Sequence, residues 1–141
     1  MVYYMTDWVR VIENPLVIVV CLLAMFVLSG IEKVYSFTSA AESLRGKLQP
    51  YNLNLSQNFY SMFIGIVILI EIVCPLIVFY YFYKGEYKEY AYYSLIALIV
   101  FTILATILYH PPDFTSYKRS IPALANLSLI GGMMLLSKQL K

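Results

Sequence analysis

The sequence predicts an all-α membrane protein, a four-transmembrane-helix up-down bundle with a short surface helix between spans 1 and 2. Three observations carry that expectation. Hydrophobic residues make up 61% of the chain and charged residues 13%, against about a quarter charged in soluble domains. Four stretches, about 15–31, 59–83, 90–109 and 121–136, are apolar almost throughout. About twenty helical residues at about 1.5 Å each cross a hydrocarbon core about 30 Å thick. Between the first two stretches the hydropathy falls, and no spanning segment fits the long loop 32–58. At 141 residues the chain reads as a single domain, 1–141, with no room for a separate soluble module.

The first element is an interfacial lead-in, with Trp8 at headgroup level beside Arg10 and Glu13. Asn14-Pro15 reads as a helix start, since Asn caps and Pro is pre-set for the first helical position. The first apolar run follows mixed charges and lacks a small-x-small cleavage site, so it reads as a retained anchor. Its last turn, Ser29-Gly30-Ile31-Glu32-Lys33, carries a glycine suited to close helix approach and a lysine long enough to turn inward or outward. Ser39 and Glu42 have the spacing of a capping box, and Gly46 is placed to end the same short helix. In the second span Pro75 follows Glu71 by four residues, which predicts a kink beside the carboxylate. Lys84 to Glu89 form a polar hairpin, so spans two and three should be antiparallel neighbours. The third span closes on His110, ahead of Pro111-Pro112. The fourth carries Asn126 and Gly131-Gly132, and Ala125, Ser128 and Gly132 predict one small-residue packing face.

Cys21 and Cys74 form no CxxC and read as buried thiols, so no dithiol or zinc chemistry is expected. The formal charge of +2 is spread over segment ends, which points away from nucleic acid. The partners expected are the lipid bilayer and either other proteins or further copies of the chain. With four spans both termini share a side. Five basic residues then fall on each face: Arg10, Lys84, Lys88, Lys138 and Lys141 against Lys33, Arg45, Lys47, Lys118 and Arg119. The positive-inside rule gives a tie. The Asn54-Leu55-Ser56 sequon matters only if that loop faces a glycosylating lumen.

An ionisable side chain in mid-membrane costs on the order of 3 kcal/mol on insertion scales. Glu71 therefore needs a partner, a proton or water. Lys33, Glu71, His110 and Asn126 come one from each span or its end, and alternation of the spans brings Lys33, His110 and Asn126 to the long-loop side. Lys33 could reach Glu71, and Asn126 could hydrogen-bond to it. Two readings stand: a structural polar knot that fixes helix register, or a pocket that binds or moves a proton or small polar ligand. A single histidine without an inward cysteine pair supports neither haem nor metal, and no cofactor is expected.

These residues resemble those of the DoxX family of small four-helix membrane proteins. Leu28-Ser29-Gly30-Ile31-Glu32-Lys33 looks like the family's SGxxK end of the first helix. A surface helix ending at Gly46, a glutamate in the second helix, a histidine closing the third and Asn126 to Gly132 in the fourth follow in the family's order. The resemblance implies a four-helix bundle with cytoplasmic termini and association with membrane redox chemistry. The function expected is a non-catalytic accessory or subunit of a redox-linked membrane complex, with a small intramembrane polar pocket. The alternatives are a purely structural component of a larger assembly such as an envelope and, third, a carrier of a small solute or proton.

Overall fold

The first helix, α1 (Pro15–Tyr35), starts where an asparagine and a proline satisfy its free end: Asn14 Oδ1 accepts the Leu16 amide at 2.9 Å and Pro15 opens the helix. The computed structural model describes residues 14–53, 55–111 and 115–141. The lead-in around Trp8, Arg10 and Glu13, the sequon's Asn54, and Pro112 lie outside the described residues. Within α1, Val19, Leu23, Phe26 and Gly30 recur at helical spacing and turn inward. The helix runs four residues beyond the expected end at 31. Ser36 alone separates it from α2 (Phe37–Leu48).

That tight junction corrects two expectations. The capping box at Ser39 does not form, because α2 begins at Phe37 and its first turn is bonded through the backbone, Ala40 N–H donating to Ser36 O at 2.9 Å. Gly46 does not end the helix either. It lies inside α2, which continues to Leu48 and into a 3-10 turn at Gln49–Tyr51. The long loop is thus mostly helical, and the chain reverses at Asn52 in the left-handed conformation (φ 57°).

Ser56 caps α3 (Gln57–Lys84), its hydroxyl accepting the Phe59 amide at 3.4 Å. At 28 residues α3 is about 42 Å long. Tyr60, Ile64, Val67, Glu71, Pro75 and Val78 form its buried stripe. The helix is continuous through Pro75, which is buried in its inward stripe. Gly85 ends α3 at φ 78°, donating to Tyr81 O, and Tyr87 leads into α4 (Lys88–Tyr109). The last helix, α5 (Tyr117–Lys138), begins before Pro122 rather than at 121.

Every regular element among the described residues is helical, and α1, α3, α4 and α5 are each long and apolar enough to cross a membrane. They fit a multi-pass membrane protein whose outward surface, from Met25 and Leu28 through Leu69 to Leu127, is hydrocarbon. The chain packs in sequence, α1 on α3, α3 on α4 and α4 on α5, with α2 laid against α3. Two apolar clusters result. The larger joins Val19, Leu23, Val78, Leu95, Leu98 and Met133 at the end that holds the α3–α4 hairpin and the end of α5. Lys88 Nζ donates to Lys141 O there at 3.1 Å. The smaller cluster, Ala41, Leu44, Tyr60 and Ile64, holds α2 at the opposite end.

Contact between α1 and α5, which would close the ring, is sparse. It includes Gly132, where an added Cβ would stand 2.7 Å from Leu22 Cδ1. The predicted small-residue face of α5 is corrected in part. Ala125, Ser128 and Gly131 are exposed, and Ser128 hydroxyl bonds back to Leu124 O at 3.1 Å. Ala123, Ile130, Met133 and Ser137 face inward instead, so α5 is rotated relative to that expectation. Cys21 is also exposed, not a core thiol, and Cys74 is half-buried against the larger cluster.

Candidate functional site

The last turns of α1 carry Ser29, Gly30 and Lys33, and each has a distinct relation to Glu71 of α3. Ser29 and Lys33, four residues apart, share one helical face. Lys33 Nζ donates to both Glu71 carboxylate oxygens at 2.9 Å and also to Ser29 Oγ. Ser29 Oγ in turn donates to Glu71 Oε1 at 3.1 Å. Gly30 sets the approach of the two helices: a Cβ there would lie 2.7 Å from Ile72 Cγ1 and 3.2 Å from Glu71 Cβ. A larger residue would push α1 away from the carboxylate.

Glu71 is 3% exposed, so its charge is removed from water and met by three hydrogen bonds from two donors. Charge-assisted bonds of this kind are the stronger ones. The Lys33 side chain remains 27% exposed. The pair therefore joins a buried carboxylate to a lysine whose side chain is part-exposed while its ammonium points to Glu71 and Ser29.

A second polar group lies on α4 and α5. Asn126 Nδ2 donates to Thr106 Oγ1 at 2.9 Å, Thr106 Oγ1 donates to Thr102 O at 2.6 Å, and Thr102 Oγ1 donates to Leu98 O at 2.7 Å. The expected bond from Asn126 to Glu71 is thus replaced by one to Thr106. The reason is rotational: α5 packs on α4, and Asn126 follows Ala123 onto that inner face. Ser29 and Thr106 are the partners that sequence reasoning left out. The signal for Ser29 is its position one turn before Lys33. Thr106 carries no signal beyond a hydroxyl within an apolar span.

Both polar groups open on one cavity of about 390 Å³. Lys33, Glu71, His110 and Asn126 all line it, together with Ser29 and Thr102. Apolar side chains, among them Phe26, Phe63, Val67, Phe101, Leu108 and Leu129, make up most of the remaining wall. Ala40, Ser43 and Leu44 of α2 close part of the loop end. Lys47 of α2 stands 5.7 Å from the Tyr109 ring centre and ties that helix to α4. His110 caps α4, its amide donating to Thr106 O at 2.9 Å, and is exposed at the cavity rim.

The cavity has the size and make-up of a small-molecule site, apolar walls with a few convergent polar groups. Of the residues placed by sequence at helix contacts, Gly30 and Gly132 make close approaches and Pro75 is buried, whereas Ala125, Ser128 and Gly131 face outward. The chain matches no protein-family model, no curated protein and no solved structure at a significant level.

Proposed function

We propose that the protein is a DoxX-like, multi-pass membrane protein with cytoplasmic termini, acting as a non-catalytic accessory subunit of a redox-linked membrane complex. On this reading the cavity faced by Lys33, Glu71, His110 and Asn126 is its working site. The observation that carries the proposal is the buried Glu71 carboxylate on the wall of that cavity, paired with Lys33 at 2.9 Å. A pair needed only to hold α1 against α3 has no requirement for 390 Å³ of space beside it. The order of Ser29-Gly30, Lys33, Glu71, His110 and Asn126 supports the family reading, and the presence of Ser29, Lys33, Glu71, His110 and Asn126 around one cavity supports treating them as one unit.

The test is isolation of tagged protein from its native membrane in mild detergent. Recovery of a redox-active membrane protein with the wild type is expected. Glu71→Gln should leave expression intact while redox turnover of the complex falls. A chain that isolates without redox components, or a complex whose turnover is unchanged by Glu71→Gln, would count against the proposal. A structural role in a larger assembly is the competing reading, and the exposed Tyr80, Tyr83, Tyr87, Tyr90 and Tyr93 around the α3–α4 hairpin favour it. It is distinguished by loss of assembly when those tyrosines, rather than Glu71, are replaced.

A further inference from the structure

We infer that the cavity takes a neutral amphiphile from the lipid phase, one with a hydroxyl or carbonyl head and a hydrocarbon body. The inference rests on the reading of the cavity as the working site and adds the chemistry of what fills it. It follows from the charge, the walls and the openings of the cavity.

The formal charges are balanced. Lys33 and Glu71 neutralise each other, and the only other imidazole, ammonium, guanidinium or carboxylate among the described lining residues is His110 at the exposed rim. A charged head drawn deep into this site would lose its hydration and meet no uncompensated opposite charge, a cost of several kcal/mol for a buried ion. A neutral head needs only hydrogen bonds. Asn126 has an amide oxygen and a second N–H beyond its bond to Thr106, and Glu71 Oε2 has one lone pair beyond the one met by Lys33. Donors and acceptors are therefore both present, on opposite walls, which suits a head that can give or receive one hydrogen bond.

The walls match a hydrocarbon body. Phe63, Val67, Phe101, Leu108 and Leu129 line the space without a polar atom in their side chains. Two of its exposed lining residues are apolar as well: Met25 is 62% exposed and Leu104 60%. Both belong to spanning helices, so the cavity communicates with the hydrocarbon region as well as with the polar rim at His110. Contact between α1 and α5 is sparse, and Met25 lies one helical turn after Leu22, the residue that meets Gly132 of α5. An amphiphile already in the bilayer reaches such a site laterally, without crossing water.

Photolabelling of the purified protein in bilayer nanodiscs tests this. Three probes share one diazirine-bearing alkyl chain and differ in the head: a primary alcohol, a carboxylate and a quaternary ammonium. The alcohol is expected to label cavity residues such as Phe63 and Phe101 saturably, at least fivefold above either charged probe, and excess unlabelled alcohol should remove the label. Ala105→Phe, which fills the cavity, should reduce saturable labelling at least fivefold. Ile107→Phe, on the outward face of the same helix, should not. Asn126→Leu should weaken the alcohol's half-saturation several-fold.

Equal labelling by all three heads, preference for a charged head, or label confined to outward residues such as Leu69 and left unchanged by excess alcohol would overturn the inference. If Ala105→Phe does not fold, saturation, head preference and the labelled positions in the wild type decide the question. Because this experiment uses the isolated chain, its failure is separable from that of the accessory-subunit reading, which is judged by what is isolated with the protein and by redox turnover.

Discussion

Lys33 and Glu71 occupy unequal positions, and the difference determines how each substitution acts. Removing Lys33 leaves a carboxylate that is 3% exposed with Ser29 as its remaining donor. Lys33→Met is expected to destabilise the bundle by about 3 kcal/mol, the lower end for a broken buried pair because the Lys33 side chain is 27% exposed. Glu71→Gln should cost less, since the freed lysine can turn outward. Lys33→Met with Glu71→Gln should recover most of the loss caused by Lys33→Met alone. Unfolding free energies in bicelles give the comparison, and strict additivity of the two changes would rule out direct coupling. Gly30 permits a second residue-scale test. Gly30→Ala drives a Cβ to 2.7 Å from Ile72 Cγ1 and should cost about 1–3 kcal/mol through overpacking. Gly65→Ala, with open space around the new methyl, should stabilise by up to about 1 kcal/mol through helix propensity. The same assay should rank the two oppositely. Both contacts explain why Ser29-Gly30-Ile31-Glu32-Lys33 was readable as a unit: its spacing alone puts the hydroxyl and ammonium on one face, with the glycine beside them.

Among the elements, α2 is held differently from the spanning helices. It is fastened by Ala41 and Leu44 against Tyr60 and Ile64, with Lys47 over Tyr109 at its far end. Leu44→Ala should cost about 2–3 kcal/mol, and the loss should be local. Amide exchange should quicken over residues 37–51 while 91–102, in the larger cluster, stays slow. A uniform increase would show that α2 and the spans unfold as one unit. The α3–α4 turn shows another local balance. Tyr87 adopts a left-handed backbone (φ 63°) that costs on the order of 1 kcal/mol or more for a bulky residue. Its ring lies 6.1 Å from Tyr80 and 6.0 Å from Tyr90, which offsets part of that cost. The sequence marked this turn correctly through Lys84-Gly85-Glu86. It misplaced the start of α2 because Ser39 and Glu42 have capping-box spacing, whereas the actual junction is set by how far α1 extends.

For the whole molecule, alternation of the four spans puts α2 and the α3–α4 hairpin at opposite ends of the bundle. Single cysteines at Gly46 and Glu86, in a Cys21→Ser, Cys74→Ala background, should react with an impermeant maleimide from opposite sides of a sealed membrane. Reaction of both from one side would contradict the up-down topology. Gly46 is in open space and tolerates a side chain, and Glu86 avoids the strained neighbour Gly85, whose φ of 78° disfavours a Cβ. The same alternation brings the ends of α1 and α4 and the start of α5 around Glu71, and so collects residues from every helix about one cavity.

The number of spans, their order and the need of Glu71 for a partner were determined by the sequence alone. Hydropathy over about twenty residues reports membrane depth regardless of neighbours, and an isolated intramembrane carboxylate is costly in any arrangement. Helix rotation was decided only in the tertiary structure. Asn126 bonds to Thr106 instead of Glu71, and Ala125, Ser128 and Gly131 face outward. The azimuth of an apolar helix depends on which side chains interdigitate with the next, because its hydrophobic surface extends nearly all round and leaves periodicity little to distinguish. The cavity itself was likewise beyond sequence, since an empty volume lined by residues of all five helices belongs to no single element.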